Sequence, residues 1–187
     1  MPSNWYVLTG APGAGKTMLL EELLRRGFAV VPEAATDVIG TLQRASVATP
    51  WTFTEFADLV LGEQLERATG AATFGPTRPV IFDRSPVCTL ALARYVGQVP
   101  SPGLLHAAGA AREDYAGGVF FVADLGFVER TAARRMSHSA ARAFGQLHIE
   151  AYLECGFELV DVPAWTVAER ADMVESTIRD RAEGALA

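Results

Sequence analysis

The sequence predicts a three-layer α/β fold built on a parallel sheet, and two observations carry this prediction. Five short apolar segments alternate along the chain with segments of helical periodicity. Such alternation is typical of right-handed βαβ units whose strands are covered by helices on both faces. In addition, the first apolar segment leads into a glycine-rich stretch and then into a helical pattern. We therefore expect residues 1–187 to form a single domain, a length at which one core is common.

The glycine-rich stretch has the form G-x-x-x-x-G-K-T and predicts a phosphate-binding loop between the first strand and the first helix. Its glycines let several backbone N–H groups converge on an anion, and the helix adds its positive dipole end. Lys16 is expected to reach the β- and γ-phosphates of a nucleotide, and the Thr17 hydroxyl to bind Mg²⁺. The predicted nucleotide-binding residues are Gly10, Ala11, Pro12, Gly13, Ala14, Gly15, Lys16, Thr17 and Met18.

The segments after the loop alternate helix and strand up to an apolar run that ends in a carboxylate. Apolar spacing predicts a helix over 16–26, and the run at 28–31 predicts a buried strand that Pro32 ends. Helices are expected at 33–42 and 55–69, and the third strand at 80–83 resembles a Walker B segment. The expected cap of the helix at 55–69 is Thr54, and its expected inward residues are Phe56, Leu59, Val60 and Leu65.

The remaining segments continue the alternation to the end of the chain. Ser85 followed by Pro86 predicts the start of a helix, because serine caps a first turn that proline favours. Thr166 and Glu169 have the spacing of a capping box. The expected segments are a helix to about residue 96, a helix at 104–115, a strand at 119–122, a helix at 139–155, a strand at 157–162 and a last helix to about residue 181.

The charged residues that follow the predicted strands suggest the chemistry. Glu33 and Asp83 come at the carboxyl ends of strands, where parallel sheets bind ligands. Asp83 is expected to bind Mg²⁺ with Thr17, and Glu33 to take a proton from an acceptor hydroxyl, although the two carboxylates could exchange these roles. Arg84 is expected on the acceptor side.

Further candidates come from an arginine-rich stretch and from an aromatic one. Arg130, Arg134 and Arg135 follow the fourth strand, where a lid over about 126–140 is expected to neutralise phosphate charge. The helical region at about 40–75 is expected to bind the acceptor through Trp51, Phe56 and Gln64, together with Glu33 and Arg84. The three histidines, at positions 106, 138 and 148, show no ligand spacing and are interpreted as structural.

Composition excludes several classes of protein. A net charge of −6 argues against non-specific binding to nucleic acid or to a membrane surface. The two cysteines lie far apart, no signal peptide or membrane span is evident, and a cytoplasmic protein is expected. A D-x-x-G stretch begins at Asp37, but it follows the second strand and no N-K-x-D motif occurs, so a GTPase is not expected. A homodimer is compatible with the sequence.

These motifs together resemble the small P-loop kinases, with deoxynucleoside kinases and the nicotinamide riboside kinase domain as the nearest analogies. The resemblance implies that Glu33 acts as a base, that Gln64 reads the acceptor and that Asp83-Arg84-Ser85 is the triplet ending strand three. It also implies the strand order 2-3-1-4-5. The stretches VVPEAATDVI, FDRSPVCTLAL and LGFVERTAARR with GFELVDVPA also resemble bacterial proteins described as AAA-family ATPases with a nucleoside-kinase-like fold.

The function expected from these residues is transfer of the γ-phosphate of Mg²⁺-ATP to a hydroxyl of a small molecule, such as a nucleoside or a natural product. One alternative is a regulatory ATPase that acts on a protein partner. A nucleotide-binding protein without catalysis is a weaker alternative, because Lys16, Thr17 and Asp83 are all present. The sequence does not name the acceptor.

Overall fold

The computed structural model describes residues 4–125 and 137–184. Within these ranges the chain forms one parallel sheet of five strands with the order β2-β3-β1-β4-β5. The predicted α/β class is therefore confirmed, and so is the strand order that the resemblance implied. The strands are β1 (Trp5–Gly10), β2 (Ala29–Val31), β3 (Val80–Asp83), β4 (Gly118–Val122) and β5 (Leu159–Val162).

Helices connect successive strands, as crossover connections between parallel strands require. Most of their bounds lie within two residues of the sequence-based expectation. The helices are α1 (Lys16–Arg25), α2 (Ala34–Arg44), α3 (Phe56–Ala71), α4 (Pro86–Tyr95), α5 (Pro102–Asp114), α6 (His138–Glu154) and α7 (Val167–Gly184).

The sheet is buried on both faces because its strands are apolar on both sides. Residues Tyr6 and Leu8 of β1 pack toward α1 and α7. The alternate residue, Val7, packs toward a larger cluster that α3, α4, α5 and α6 complete. The nearly continuous apolar strands are typical of this arrangement.

The start of α3 and its buried face differ from the prediction. The helix begins at Phe56 after Glu55, and no side chain caps it, so the cap expected from Thr54 is wrong. Leu59 and Leu65 are 43% and 49% exposed, so their expected inward orientation is also wrong. Phe56 and Val60 do face inward, in a small cluster with Ala34 of α2.

Two of the predicted helix caps are confirmed. The Ser85 hydroxyl accepts a hydrogen bond from the Val87 N–H at 3.3 Å at the start of α4. Before α7, the Glu169 carboxylate accepts from the Thr166 N–H at 2.9 Å, and the Thr166 hydroxyl accepts from the Glu169 N–H at 3.3 Å. These reciprocal bonds form a capping box. None of the described helices is both long and apolar enough to cross a membrane.

Candidate functional site

The loop between β1 and α1 depends on glycine at both of its ends. Gly15, the residue before α1, has a φ of 82°, a left-handed conformation that glycine adopts without a steric penalty. At Gly10 the φ is 142°, and an added Cβ would lie 2.5 Å from the Val122 carbonyl oxygen of β4. A side chain at position 10 would therefore clash with β4, and one at position 15 would strain the backbone just before α1 begins at Lys16.

Lys16 is buried against the loop that precedes it. Its Nζ donates to the carbonyl oxygens of Gly10 and Ala11 at 3.2 and 3.0 Å. Burial lowers the pKa of this amine to about 8, and the charge of Arg84 adds to the effect, whereas Asp83 and Glu33 oppose it. Lys16 is also the only lysine in the sequence.

The end of β3 places two charged residues beside the start of the loop. Asp83 pairs with Leu8 of β1 in the parallel register, and the Arg84 N–H donates to the Leu8 carbonyl at 3.1 Å. Arg84 has a φ of 75°, in the left-handed region that is uncommon for residues with a side chain. Gly10 accepts a longer contact of 3.5 Å from Arg84 Nη2, so its carbonyl lies between Arg84 and Lys16.

An ion pair joins the ends of β2 and β3. Arg84 Nε donates to Glu33 Oε1 at 2.6 Å, and the Thr36 hydroxyl donates to Glu33 Oε2 at 2.8 Å. Burial opposes ionisation of Glu33, but the Arg84 charge and the Thr36 hydrogen bond outweigh it and lower the pKa of this carboxyl. Arg67 of α3 fixes the backbone nearby by donating to the carbonyl oxygens of Pro32 and Glu33 at 2.8 and 3.0 Å.

Asp83 has a different environment from Glu33. Its Oδ1 is buried and has no hydrogen-bond partner among the residues that the structure describes. Burial raises the pKa of the Asp83 carboxyl, the charge of Glu33 adds to this effect, and the charges of Arg84 and Lys16 oppose it. A buried carboxylate oxygen without a partner is costly unless a cation or a proton satisfies it.

These groups fit a magnesium ion held together with a nucleotide. In residues 4–125 and 137–184 there is no cluster of three or more His, Cys, Asp or Glu side chains that could bind a metal. Mg²⁺ does not need such a cluster, since it is commonly bound by one or two carboxylates, water and the substrate phosphates. The unsatisfied oxygen of Asp83 at the end of β3 and the exposed Thr17 hydroxyl at the start of α1 are the side-chain ligands that would hold the ion.

A small cleft lies next to the ion pair, between β2, β3 and α3. Gln64 lies in its wall, and its Oε1 accepts a hydrogen bond of 2.8 Å from the buried Thr89 hydroxyl. The structure therefore brings Gln64 together with Asp83 and Arg84 in one cleft wall, and its role in acceptor binding stays a prediction. The cleft is lined by Val31, Pro32, Gln64, Arg67, Phe82, Asp83, Arg84 and Tyr115.

Other predicted site residues lie elsewhere. Phe56 is 1% exposed in the cluster between α2 and α3, and Trp51 packs against the same cluster. Within the described ranges, neither is part of the cleft wall, so their contribution to acceptor binding stays a prediction. Met18 is exposed on α1. Arg130, Arg134 and Arg135 lie outside the described residues.

Two buried residues at the site were not predicted from the sequence. His148 of α6 was interpreted from the sequence as structural. It contacts Arg84, with 2.9 Å between His148 Nε2 and Arg84 Nη1. Arg170 of α7 donates to the Ala14 carbonyl of the loop at 2.7 Å. For His148 a signal was available, because it stands four residues from Phe144 and from Tyr152 on a helical face. Arg170 follows the last capping box and resembles an ordinary charged surface residue.

The fold and the loop are those of the P-loop NTPases. A family model described as an AAA domain matches residues 5–170, and the chain belongs to that family. No curated protein matches the chain.

Solved structures of kinases share the fold at low sequence identity. Thymidylate kinase from Candida albicans has a TM-score of 0.64 and 14% identity, with 96% of this chain and 92% of that chain covered. Thymidylate kinase from Ehrlichia chaffeensis has a TM-score of 0.66 and 11% identity, with coverages of 95% and 100%. Deoxyadenosine kinase from M. mycoides, solved with dATP, has a TM-score of 0.57 and 13% identity, with coverages of 94% and 99%. The chain therefore has the fold of P-loop nucleotide and nucleoside kinases.

Proposed function

We propose that this protein is an ATP-dependent kinase that transfers the γ-phosphate to a hydroxyl of a small molecule. The observation that carries the proposal is the Glu33–Arg84 ion pair, because Arg84 contacts the Gly10 carbonyl of the loop and also lines the small cleft. A nucleotide-hydrolysing site needs no second cleft, whereas a kinase needs one for the acceptor beside the γ-phosphate. The kinase names of the structural neighbours support the same reading.

The residues of the chain divide between donor and acceptor. Lys16 and the loop amides bind the β- and γ-phosphates. When the nucleotide binds, Lys16 Nζ exchanges its hydrogen bonds to the Gly10 and Ala11 carbonyls for bonds to phosphate oxygens. Thr17 and Asp83 hold Mg²⁺, which supplies charge neutralisation on the phosphates. The lid arginines Arg130, Arg134 and Arg135 are proposed to add further positive charge.

The acceptor hydroxyl lies between Glu33 and the γ-phosphate in this proposal. Glu33 orients the hydroxyl and accepts its proton, and Arg84 stabilises the charge on the transferred group. The lowered pKa of Glu33 keeps it ionised at neutral pH, as a proton acceptor must be. Gln64, with its Oε1 already engaged by Thr89, presents its amide N–H₂ to the acceptor.

The test is a phosphotransfer screen with γ-labelled ATP over nucleosides, nucleoside monophosphates, sugars and amino alcohols. We expect labelled product with at least one acceptor class, and its loss in Lys16→Met but not in the exposed control Arg25→Met. The cleft variant Gln64→Leu should raise the KM of the acceptor more than that of ATP. Slow hydrolysis of ATP with no labelled product in any acceptor pool would contradict the proposal.

The same screen distinguishes the proposed kinase from the alternative, which is a regulatory ATPase that acts on a protein partner. That alternative draws on the AAA-domain family model rather than on the cleft. It requires ATP binding and hydrolysis without transfer, and Gln64→Leu would leave this hydrolysis unchanged.

A further inference from the structure

One face of α6 is packed against the triplet that follows β3. Three residues at successive helical turns form this face: Phe144, His148 and Tyr152. The Tyr152 hydroxyl is 2.7 Å from the Ser85 hydroxyl, and the guanidinium carbon of Arg84 lies 6.0 Å from the centre of the Phe144 ring. Both His148 and Tyr152 are fully buried. The face therefore contacts the side chains of two consecutive residues next to the phosphate-binding loop.

The hydrogen bonds of His148 identify its tautomer. Its Nδ1 is 3.0 Å from the Phe144 carbonyl oxygen, which can only accept, so Nδ1 carries a proton. Its Nε2 is 2.9 Å from Arg84 Nη1, which can only donate, so Nε2 offers its lone pair. Burial lowers the pKa of His148 well below its usual value, and the charges of Arg84 and Lys16 act in the same direction. The ring is a neutral acceptor at physiological pH.

A neutral acceptor at this position differs from a carboxylate in its effect on Arg84. The guanidinium has five N–H donors. Glu33 receives the one on Nε at 2.6 Å, His148 receives one on Nη1 at 2.9 Å, and Gly10 receives one on Nη2 at 3.5 Å. Glu33 already balances the charge of Arg84. A second carboxylate would leave the group net negative beside incoming phosphates, whereas imidazole orients the guanidinium and adds no charge.

We propose that His148 is a positioning residue that holds the guanidinium of Arg84 for the transferred phosphoryl group through a neutral Nε2 acceptor. This inference rests on the proposed function. His148 does not touch the substrates in this arrangement; it acts through Arg84. Glu33 lies on one edge of the guanidinium and His148 on another. Of the five Arg84 N–H groups, two have no partner among the residues that the structure describes, so these two can donate to phosphate oxygens.

The test compares three replacements of His148 in the full chain. His148→Gln keeps a neutral acceptor near the position of Nε2, His148→Leu removes it, and His148→Glu adds a charge. We expect kcat to fall about 100-fold in His148→Leu, as for a misplaced reacting group. The KM of ATP should stay near the wild-type value, His148→Gln should recover most of the loss, and His148→Glu should not. Leu153→Ala, an exposed position on the same helix, is the matched control.

A double-mutant cycle tests whether His148 acts through Arg84. In an Arg84→Gln background, His148→Leu should lower kcat no further, because the group that it positions is already lost. Independent, multiplying losses would overturn the proposal, and so would a fully active His148→Leu. Thermal melting and binding of a non-hydrolysable ATP analogue establish that each variant is folded.

A spectroscopic measurement keeps the inference distinct from the proposed function. In ¹⁵N-histidine NMR spectra, His148 should appear as the neutral Nδ1–H tautomer, and its Nε2 signal should shift in Arg84→Gln. A protonated Nε2, or an unchanged signal in Arg84→Gln, would overturn the inference even if no phosphate acceptor is found. Conversely, kinase activity that is indifferent to His148→Leu would remove the inference and leave the proposed function standing.

Discussion

Glu33 is held from both of its oxygens, by Arg84 at 2.6 Å and by Thr36 at 2.8 Å. This fixed geometry favours a role in orienting an acceptor over a role in binding a nucleotide. We expect Glu33→Gln to bind ATP almost as the wild type does and to lower kcat by about 10²–10⁴-fold, the usual contribution of a general base. Steady-state kinetics with the acceptor found in the screen measure this.

Thr36→Val is the companion to that variant, since it removes the second hydrogen bond and keeps the carboxylate. It should lower kcat much less than Glu33→Gln. Equal kcat values in Glu33→Gln and the wild type would assign the base to Asp83, whose Oδ1 is unpartnered among the described residues.

The pKa of Lys16, lowered to about 8, links nucleotide binding to pH. Phosphates favour the charged amine, so binding raises this pKa and takes up protons near pH 8. We expect the affinity for ATP to fall as the pH rises from 7 to 9. Calorimetry at pH 8 in two buffers with different ionisation enthalpies measures the uptake, and heats that are the same in both buffers would contradict the expectation.

Burial of Lys16 also makes the stability of the nucleotide-free protein depend on pH. Between about pH 8 and the usual lysine pKa of about 10.4, the unfolded chain binds more protons at this amine than the folded one does. The contribution of Lys16 to the free energy of unfolding therefore increases with pH through that window. Below pH 8 the amine is charged in both states, and its contribution is constant.

Local sequence rules find a site residue when the residue lies on the segment that creates the site. Gly10 through Thr17, Glu33 and Asp83 could be predicted because each follows a strand, and the carboxyl ends of parallel strands share one edge. His148 could not be predicted in the same way. Its role depends on how α6 packs beside α4, and His148 stands 64 positions after Arg84 in the sequence.

The last helix, α7, begins with a capping box whose exposed hydrogen bonds can be removed without disturbing the core. We expect Thr166→Ala to lower the free energy of unfolding by about 0.5–2 kcal/mol, the usual range for loss of a cap. Denaturant unfolding measures the change, with exposed Ser176→Ala on the same helix as control. A change no larger than that of the control would show that the box contributes nothing to stability.

Helix α3 shows where periodicity fails. Leu59 and Leu65 were expected inside because they are large and apolar, yet the small Ala57 is buried instead. The reason is that α3 packs between two clusters, with Phe56 and Val60 toward α2 and Ala57 and Leu61 toward the main core. The buried face of α3 is therefore set by the positions of the elements on either side of it, and the local pattern of apolar residues does not encode those positions.

Arg170 connects three segments that converge on the loop. It is 2% exposed and donates to Pro163 at 2.8 Å, Ala14 at 2.7 Å and Ala123 at 3.3 Å. These carbonyls belong to the β5–α7 connection, the phosphate-binding loop and the end of β4. No acidic side chain pairs with Arg170 in the described parts of the chain, and burial lowers its pKa. A single side chain thus links the phosphate-binding loop to the segments that follow β4 and β5.

We expect Arg170→Met to lower the free energy of unfolding by about 2–4 kcal/mol and to weaken ATP binding. Hydrogen bonds to charged groups contribute about 1.5–3 kcal/mol each, but the cost of burying the charge offsets part of their sum. Denaturant unfolding and nucleotide titration measure the two effects. Arg179→Met, an exposed position on α7 paired with Glu175, is the control. Wild-type ATP affinity in a destabilised Arg170→Met would show that the loop does not depend on this residue.

The complete topology was only partly accessible from the sequence. Alternation of strands and helices predicts a parallel sheet, but it does not say which strands are neighbours. The order was available only through family resemblance, because pairings such as Leu8 with Asp83 join residues far apart in the chain. The phosphate-binding loop was predictable because all of its parts are contiguous.

The single lysine of the chain makes the phosphate-binding loop selectively reactive toward reagents that modify amines. Apart from the N-terminal amine, Lys16 carries the only primary amine in the protein. An amine-selective acylating reagent therefore has one internal target, and in the proposed function that amine contacts the phosphates of the nucleotide. Protection from acylation, read by intact mass, would report occupancy of the site for any candidate nucleotide, without a label and before an acceptor is known.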